Sequence, residues 1–169
     1  CGFTELASLD VSKNTALEVL SFHRIGIKSI DLSRNAALTS LNCGENNLSK
    51  LDVSKNTRLE SLWCEDNRLA SLDISRNTKL KCLNCTDNQL AKLDLDKNPL
   101  LSQLWCNGNQ LKKLDIRKCK ILNRLVKEIS PGIEWGYGYG WWRTDDPGEC
   151  LFADENVKII TDSGGKIKI

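Results

Sequence analysis

Leucine recurs through this chain at a constant spacing of 21 residues, and this repeat constrains the fold more than any other feature. One series runs at Leu17, Leu38, Leu59, Leu80, Leu101 and Leu122, and a second at Leu20, Leu41, Leu62, Leu83, Leu104 and Leu125. A repeat of this length is typical of stacked coils, because a single coil cannot bury its own apolar face. The sequence therefore predicts a repeat solenoid of about six coils.

Within each coil the residues alternate as in a half-buried strand. In Leu62-Trp63-Cys64 the leucine and the cysteine fall on one side and the tryptophan on the other. Stacked coils would bring such strands together as a parallel sheet with a spacing of about 4.8 Å.

The repeat resembles the leucine-rich repeat family, whose motif L-x-x-L-x-[L/C]-x-x-N-x-L is met at 38–48, 59–69, 80–90 and 101–111. A second half-repeat, L-x-x-L-D-[V/I/L]-x-x-N, is similar to the nested subclass called IRREKO. In the first complete coil Ile25 replaces the motif asparagine, as Thr4 does in the partial coil before it. The resemblance implies a leucine-rich repeat solenoid with a parallel β-sheet, short turns and little helix.

The period fails after Leu125, since Lys127 stands in an otherwise apolar column. We therefore predict a solenoid over 1–125, with its first coil truncated, and a non-repeat C-terminal β cap over 126–169. Segments 157–161 and 166–169 flank an Asp-Ser-Gly-Gly turn and predict a β-hairpin. The tail resembles caps of secreted or cell-surface leucine-rich repeat proteins of gut bacteria.

Asparagine occupies two further columns. One contains Asn46, Asn67, Asn88 and Asn109, and the other contains Asn14, Asn35, Asn56, Asn77 and Asn98. Turns in a solenoid leave backbone groups facing inward, and an amide side chain can pair them from coil to coil. We expect both columns to be structural ladders rather than functional sites.

Charged residues follow the same period. An aspartate column contains Asp10, Asp31, Asp52, Asp73, Asp94 and Asp115, and a cationic column three residues later contains Lys13, Arg34, Lys55, Arg76, Lys97 and Lys118. The two columns are expected to offset each other along a solvated edge. Calcium is a poor fit for this column, because the aspartates of most coils lack a second nearby carboxylate.

Five of the eight cysteines share one column with Phe22, namely Cys1, Cys43, Cys64, Cys85 and Cys106. A column shared with phenylalanine predicts buried thiols that act as small apolar fillers, not as metal ligands. Cys1 is then a core residue of a coil that begins upstream, and not the acylated first residue of a lipoprotein. Cys82 is expected to point outward, and Cys119 and Cys150 could form a disulfide or remain free.

Catalysis has little support in the sequence. There is one histidine, His23, and no nucleophile elbow, phosphate loop or metal-binding spacing, so no enzyme activity, cofactor or metal is predicted. The tail acids Asp145, Asp146, Glu149 and Asp154 are expected to be solvated loop residues rather than a glycosidase pair. A net charge of +2 gives no case for nucleic acid, and no apolar run is long enough for a membrane span.

The outward strand positions are not explained by packing. One outward column reads Ser21, Asn42, Trp63, Asn84 and Trp105. Two tryptophans about 9.5 Å apart could flank a sugar ring or a partner's aromatic side chain over Asn84, with Glu65, Asp66 and Asp87 as an acidic rim. Alternatively, the indoles lie flat and shield the sheet. The tail aromatics Trp135, Tyr137, Tyr139, Trp141 and Trp142 could be a second sticky surface or the core of the cap.

These features favour a monomeric, secreted or surface-attached bacterial protein that binds a protein or glycan through its strand face. The alternative is a structural spacer or adhesin stalk that displays another domain.

Overall fold

The structure is a computed structural model that describes residues 8–128, 150–154, 157–161 and 166–168. The predicted Cys1, Thr4, tail aromatics and the acids Asp145, Asp146 and Glu149 lie outside these residues. The elements in chain order are β1 Val19–Ser21, β2 Ser40–Asn42, β3 Ser61–Trp63, β4 Cys82–Asn84, β5 Gln103–Trp105, β6 Lys113–Asp115, α1 Lys120–Glu128, β7 Cys150–Phe152, β8 Lys158–Ile160 and β9 Lys166–Lys168.

The first five strands form a parallel sheet in which each strand pairs with the strand 21 residues later. Leu20 lies opposite Leu41, Leu41 opposite Leu62, and the register continues unchanged to β5. The middle leucine of each strand from β2 to β5 is fully buried, whereas its outward neighbours are mostly half-buried. This confirms the predicted parallel solenoid with a 21-residue coil and little helix.

The chain departs from the strand repeat at α1. A sixth strand in phase would run through 124–126 and turn Lys127 into the column that holds Cys64 and Cys106. Both of these cysteines are fully buried, and a lysine is almost never buried without a partner. The chain continues instead as a helix with a period of 3.6 residues, and Leu122 is buried in the core.

Two strands from the tail complete the sheets. β7 pairs in parallel with β5 and takes the sixth place in the main sheet. β8 pairs in parallel with β6 and antiparallel with β9, which makes a second sheet of three strands. Leu151, Val157 and Ile159 are buried in the same core cluster as the repeat leucines. The C-terminal end of the solenoid core is thus covered.

The cysteine column lies in that core. Cys43, Cys64, Cys85 and Cys106 have no exposed surface, as the sequence predicts. Burial raises the pKa of Cys43 and of Cys85 to about 12, so these thiols are unionised at neutral pH. They therefore pack as apolar groups.

The two asparagine columns make different hydrogen bonds. In the first, the Asn67 amide nitrogen donates to the carbonyls of Cys43, Cys64 and Glu65, and its oxygen accepts from the backbone nitrogen of Leu48. Asn88 and Asn109 repeat this arrangement, and at the first coil Asn46 also accepts from the backbone nitrogen of Ile25.

In the second column each amide nitrogen donates to two carbonyls of the preceding coil, as Asn77 does to Val53 and Asn56. The amide oxygens are buried without a hydrogen bond in Asn35, Asn56, Asn77 and Asn98. Asn14 is exposed. Cys119 ends this column as a buried free thiol whose sulfur lies 3.5 Å from the Asn98 carbonyl oxygen. The structure thus holds no disulfide at Cys119.

The aspartate column is held by the backbone rather than by the cationic column. Asp52 Oδ1 accepts a hydrogen bond from the backbone nitrogen of Ser54 at 2.9 Å, and the other aspartates bond the residue two positions on in the same way. Among the described residues, no ion pair joins an aspartate of this column to the cation three residues later. The turn hydrogen bonds are therefore the main support of this column, and the cations Arg34, Lys55 and Arg76 offset its charge to a smaller extent.

Candidate functional site

The candidate site is the outward face of strands β3 to β5. Alternation along each strand turns its middle leucine inward and its last residue outward, which places Trp63, Asn84 and Trp105 side by side in one register column. All three side chains are half-buried. Asn42 precedes them in the same column on β2 and is also half-buried.

The two indoles contact each other. Their ring centroids lie 5.5 Å apart with an interplanar angle of 31°. The strands that carry them are two sheet spacings apart, about 9.6 Å, so both rings lean over the intervening strand β4. No gap remains for a sugar ring or an aromatic side chain between them, because two flanking rings need roughly 7 Å. The expected sandwich with Asn84 as its floor is therefore wrong.

An outward residue of β4, the strand between the two tryptophans, is buried. Cys82 occupies an outward position of this strand, in register with Ser61 and Gln103, yet it is buried. The prediction that Cys82 points outward agrees with this register, and the residue is nevertheless buried. Burial raises the pKa of Cys82 as well. Sequence reasoning did not find this buried thiol because it treated each outward position separately.

The Trp63 ring is oriented by a hydrogen bond. Its Nε1 donates to Ser61 Oγ at 2.9 Å, so the ring lies back along its own strand. On β5, which carries Trp105, Gln103 occupies the register position of Ser61. A fixed aromatic pair on an otherwise polar sheet face is a preformed apolar platform.

Acidic side chains lie just beyond the carboxyl ends of β3 and β4. We call Glu65, Asp66 and Asp87 the acidic rim. Asp66 and Asp87 are exposed and both have φ of 50°, the left-handed conformation that aspartate tolerates better than most residues. The Glu65 side chain lies over Gly44, where an added β-carbon would clash with its Oε1.

Burial is the largest influence on the pKa of two rim carboxylates, Glu65 and Asp66. It raises the pKa of Glu65 and of Asp66, with smaller opposing or reinforcing effects from neighbouring charges. One oxygen of Glu65, Oε2, is buried without a hydrogen bond. The neighbouring Glu45 differs, since it contacts both His23, at 3.0 Å, and Arg24.

Asp154 has a structural role that the sequence did not reveal. It stands two residues after β7, and its carboxylate accepts hydrogen bonds from the backbone nitrogens of Gly108, at 2.7 Å, and Asn109, at 3.2 Å. It is therefore a half-buried cap and not a solvated loop acid. The sequence feature that could have indicated this role is the position of Asp154 two residues after strand 150–152. That position has a meaning only once the strand is known to continue the sheet.

The part of the chain that the structure describes contains neither a metal-ligand cluster nor a membrane-spanning helix. Within these residues, no three His, Cys, Asp or Glu side chains gather closely enough to hold a metal ion. None of the helices described there has the length and apolar character to cross a membrane.

Comparison with solved structures finds bacterial leucine-rich repeat proteins. The functional domain of InlJ from Listeria monocytogenes, which includes a cysteine ladder, is 34% identical over 69% of this chain and 26% of that chain, with a TM-score of 0.68. The internalin InlF from the same species is 20% identical over 88% of this chain and 37% of that one, with a TM-score of 0.63. A leucine-rich repeat protein of Leptospira interrogans is 22% identical over 69% and 39%, with a TM-score of 0.54.

This chain thus spans well under half the length of these neighbours. No protein-family model matches the sequence, and no curated protein matches it either. The structural match agrees with the 21-residue register of β1 to β5 and with the inward asparagine and cysteine columns. The chain therefore has the leucine-rich repeat fold of bacterial proteins such as the internalins.

Proposed function

We propose that this chain is a non-enzymatic recognition module that binds a protein through the face centred on Trp63, Asn84 and Trp105. The observation that carries the proposal is the indole pair, with its ring centroids 5.5 Å apart on the outward side of the sheet. In this fold, the apolar side chains that only fill the core point inward. The two indole rings lie on the outward face instead.

The platform has the properties of an interface centre. Tryptophan is enriched among the residues that dominate binding energies, and such residues cluster in groups that are already partly desolvated. The Trp63 ring is held by its hydrogen bond to Ser61, so little side-chain entropy is lost on binding. Polar neighbours such as Asn42 and Asn84 surround the platform and can pair with a partner's backbone.

A protein partner is favoured over a glycan. The closed gap between the indoles removes the arrangement in which two rings clamp a sugar, while a paired platform suits the side chains of a protein surface. The structural neighbours support the same choice, since they are internalins and other bacterial leucine-rich repeat proteins. A spacer or stalk, the alternative, would not need an oriented aromatic pair on its sheet.

The wider organisation is part of the proposal. We infer a secreted or cell-surface bacterial protein that acts as a monomer, with the solenoid over 1–125 and the cap over 126–169. The D-[V/I/L]-x-x-N half-repeat supports membership of the IRREKO subclass, and the tail sequence supports an origin in gut bacteria.

The test is a paired substitution, Trp63→Asn with Trp105→Asn, because asparagine already occupies this column at Asn42 and Asn84. The matched control is Lys97→Asn, an exposed residue outside the platform. Arrays of host and bacterial surface proteins, together with a glycan array, would supply the partner. We expect binding to a protein to fall at least about a hundredfold in the double variant and to be unchanged in the control.

A protein partner that binds the double variant as tightly as the parent chain would show that the face is wrong. A chain that binds only glycans, through the indoles, would overturn the choice of a protein. Cooperative thermal unfolding of both variants checks that the fold is intact.

A further inference from the structure

The acidic rim formed by Glu65, Asp66 and Asp87 borders the indole platform. Glu65 follows Trp63 by two residues at the carboxyl end of β3, and Asp87 follows Asn84 by three at the end of β4. Adjacent coils are about 4.8 Å apart, so the rim and the platform form one continuous surface. An incoming side chain that covers the indoles therefore meets carboxylates on one side.

The rim carboxylates make no ion pair within the described part of the chain. Arg24 and His23 offset the negative charge at Asp66 only in part, because burial and the neighbouring carboxylates Asp87 and Glu45 raise its pKa more. The ion pairs there use Glu45, Glu60, Asp94 and Asp115, and none of them involves a rim carboxylate. Neighbouring Glu45 is different because His23 and Arg24 both contact it. The negative charge is thus concentrated at the coils that carry Trp63 and Asn84.

The rim is also fixed in place. Asp66 and Asp87 sit on turns whose backbone nitrogens donate to the carbonyls of Thr86 and Asn107 in the next coil, at 3.0 Å and 2.9 Å. Glu65 fills the space above Gly44, the one position of its column from His23 to Asn107 that has no side chain. A partner therefore meets carboxylates that are carried on hydrogen-bonded turns.

An aromatic surface beside carboxylates that make no ion pair of their own matches one side-chain chemistry. An arginine or lysine can lie over an indole face through a cation–π contact while its charged group pairs with a carboxylate. The whole chain carries a net charge of +2, so this negative surface is a local feature and not a consequence of composition.

Resting on the proposed function of this face, we propose that its partner is a basic protein segment that places arginine or lysine side chains on the indole pair and against the acidic rim.

The probe is a synthetic peptide of alternating arginine and glycine, with an equally long peptide of alternating glutamate and glycine as its counterpart. Two variants remove equal charge. Asp66→Asn with Asp87→Asn neutralises the rim, and asparagine keeps the left-handed turns. Asp94→Asn with Asp96→Asn is the matched control on another edge of the coils, where asparagine can still accept the turn hydrogen bond.

We expect the basic peptide to bind, with a Kd about tenfold weaker in the rim variant and unchanged in the control. Raising the salt from about 0.05 M to about 0.5 M should weaken binding further, because these charges are partly exposed. Equal affinity for the acidic peptide, or an unchanged Kd in the rim variant, would overturn the proposal.

The Trp63→Asn, Trp105→Asn variant separates this inference from the proposed function. A protein partner that needs the indoles and is insensitive to the rim substitutions would leave the binding face standing and show that the basic segment is wrong. A basic peptide that binds the tryptophan variant and the parent chain equally well would also overturn the inference, because the indoles are part of it.

Discussion

The carboxylate of Asp154 accepts a hydrogen bond from the backbone nitrogen of Gly108 at 2.7 Å. In the preceding coil the equivalent nitrogen, that of Asp87, donates to the backbone carbonyl of Asn107 at 2.9 Å. Asp154 follows β7 by the same two residues by which Asn107 follows β5, so a side chain takes the place of a carbonyl. The tail thereby supplies hydrogen-bond acceptors for the backbone nitrogens in the last turn of the first asparagine ladder.

Replacing Asp154 by alanine should therefore destabilise the protein by about 1 to 3 kcal/mol, because two backbone donors lose their acceptor. Asp154→Asn should cost less, since its amide oxygen can still accept one of the two hydrogen bonds. The free energy of unfolding from urea titration is the measurement. An alanine variant as stable as the parent would show that the cap contact contributes nothing.

The two asparagine ladders should respond differently to cysteine. The Asn67 amide uses both its nitrogen and its oxygen, whereas the oxygen of Asn77 is buried without a hydrogen bond. Cys119 already stands in the second column, with its sulfur near the Leu95 and Asn98 carbonyls. We expect Asn67→Cys to cost about 1 to 3 kcal/mol and Asn77→Cys distinctly less.

Chemical denaturation under reducing conditions would compare these two variants. Asn47→Cys, at a half-buried position beside the first ladder, is the control for adding a thiol to this part of the chain. If Asn77→Cys is less stable than Asn67→Cys, the proposed difference between the two ladders is wrong.

Glu65 should destabilise the folded chain at neutral pH. Burial raises its pKa, so the folded state binds the proton more tightly than the unfolded state does, and stability falls as the pH rises through this range. Glu65→Gln removes that cost. We expect a gain of at most about 1 kcal/mol, because part of the side chain is exposed and solvent screens it.

The gain of Glu65→Gln should be present at pH 7 and disappear below the usual carboxyl pKa of about 4.3, where both states of the parent are protonated. The free energy of unfolding of the parent and of Glu65→Gln, measured at a series of pH values from about 3 to about 8, would show this. Glu18→Gln, an exposed glutamate outside the rim, is the control. A gain independent of pH would contradict the assigned cause.

The aspartate column should make the protein acid-sensitive. Hydrogen bonds from Ser33, Ser54 and Ser75 hold the pKa of Asp31, Asp52 and Asp73 below 3.8, so their contribution is complete above that pH and is lost as the pH falls through the lowered values. The triple asparagine variant retains an acceptor that does not titrate. Its thermal midpoint should therefore fall less than that of the parent below about pH 4.

Lys55→Gln with Arg76→Gln is the counter-test for the column. If the cationic column were the main cause of the lowered pKa values, these substitutions would flatten the acid response as much as the asparagine variant does. The hydrogen-bond geometry predicts a much smaller effect.

The sequence by itself determined the coil, its register and the content of the core. The 21-residue period requires Leu62 to stack on Leu83, and alternation within a strand requires Cys64 to face inward when Trp63 faces outward. The asparagine columns followed from the need to pair inward backbone groups. These rules are local and apply in the same way to each coil, so the same pattern recurs several times in the sequence.

The tertiary structure decided what depends on contacts between different coils or between coil and tail. Trp63 and Trp105 meet because side chains reach across a spacing that the period alone does not measure, and the outward residue Cys82 between their strands is buried. Asp154 became a cap only through the pairing of β7 with β5. Such contacts occur once in the chain, and their geometry is set by packing rather than by any pattern that recurs.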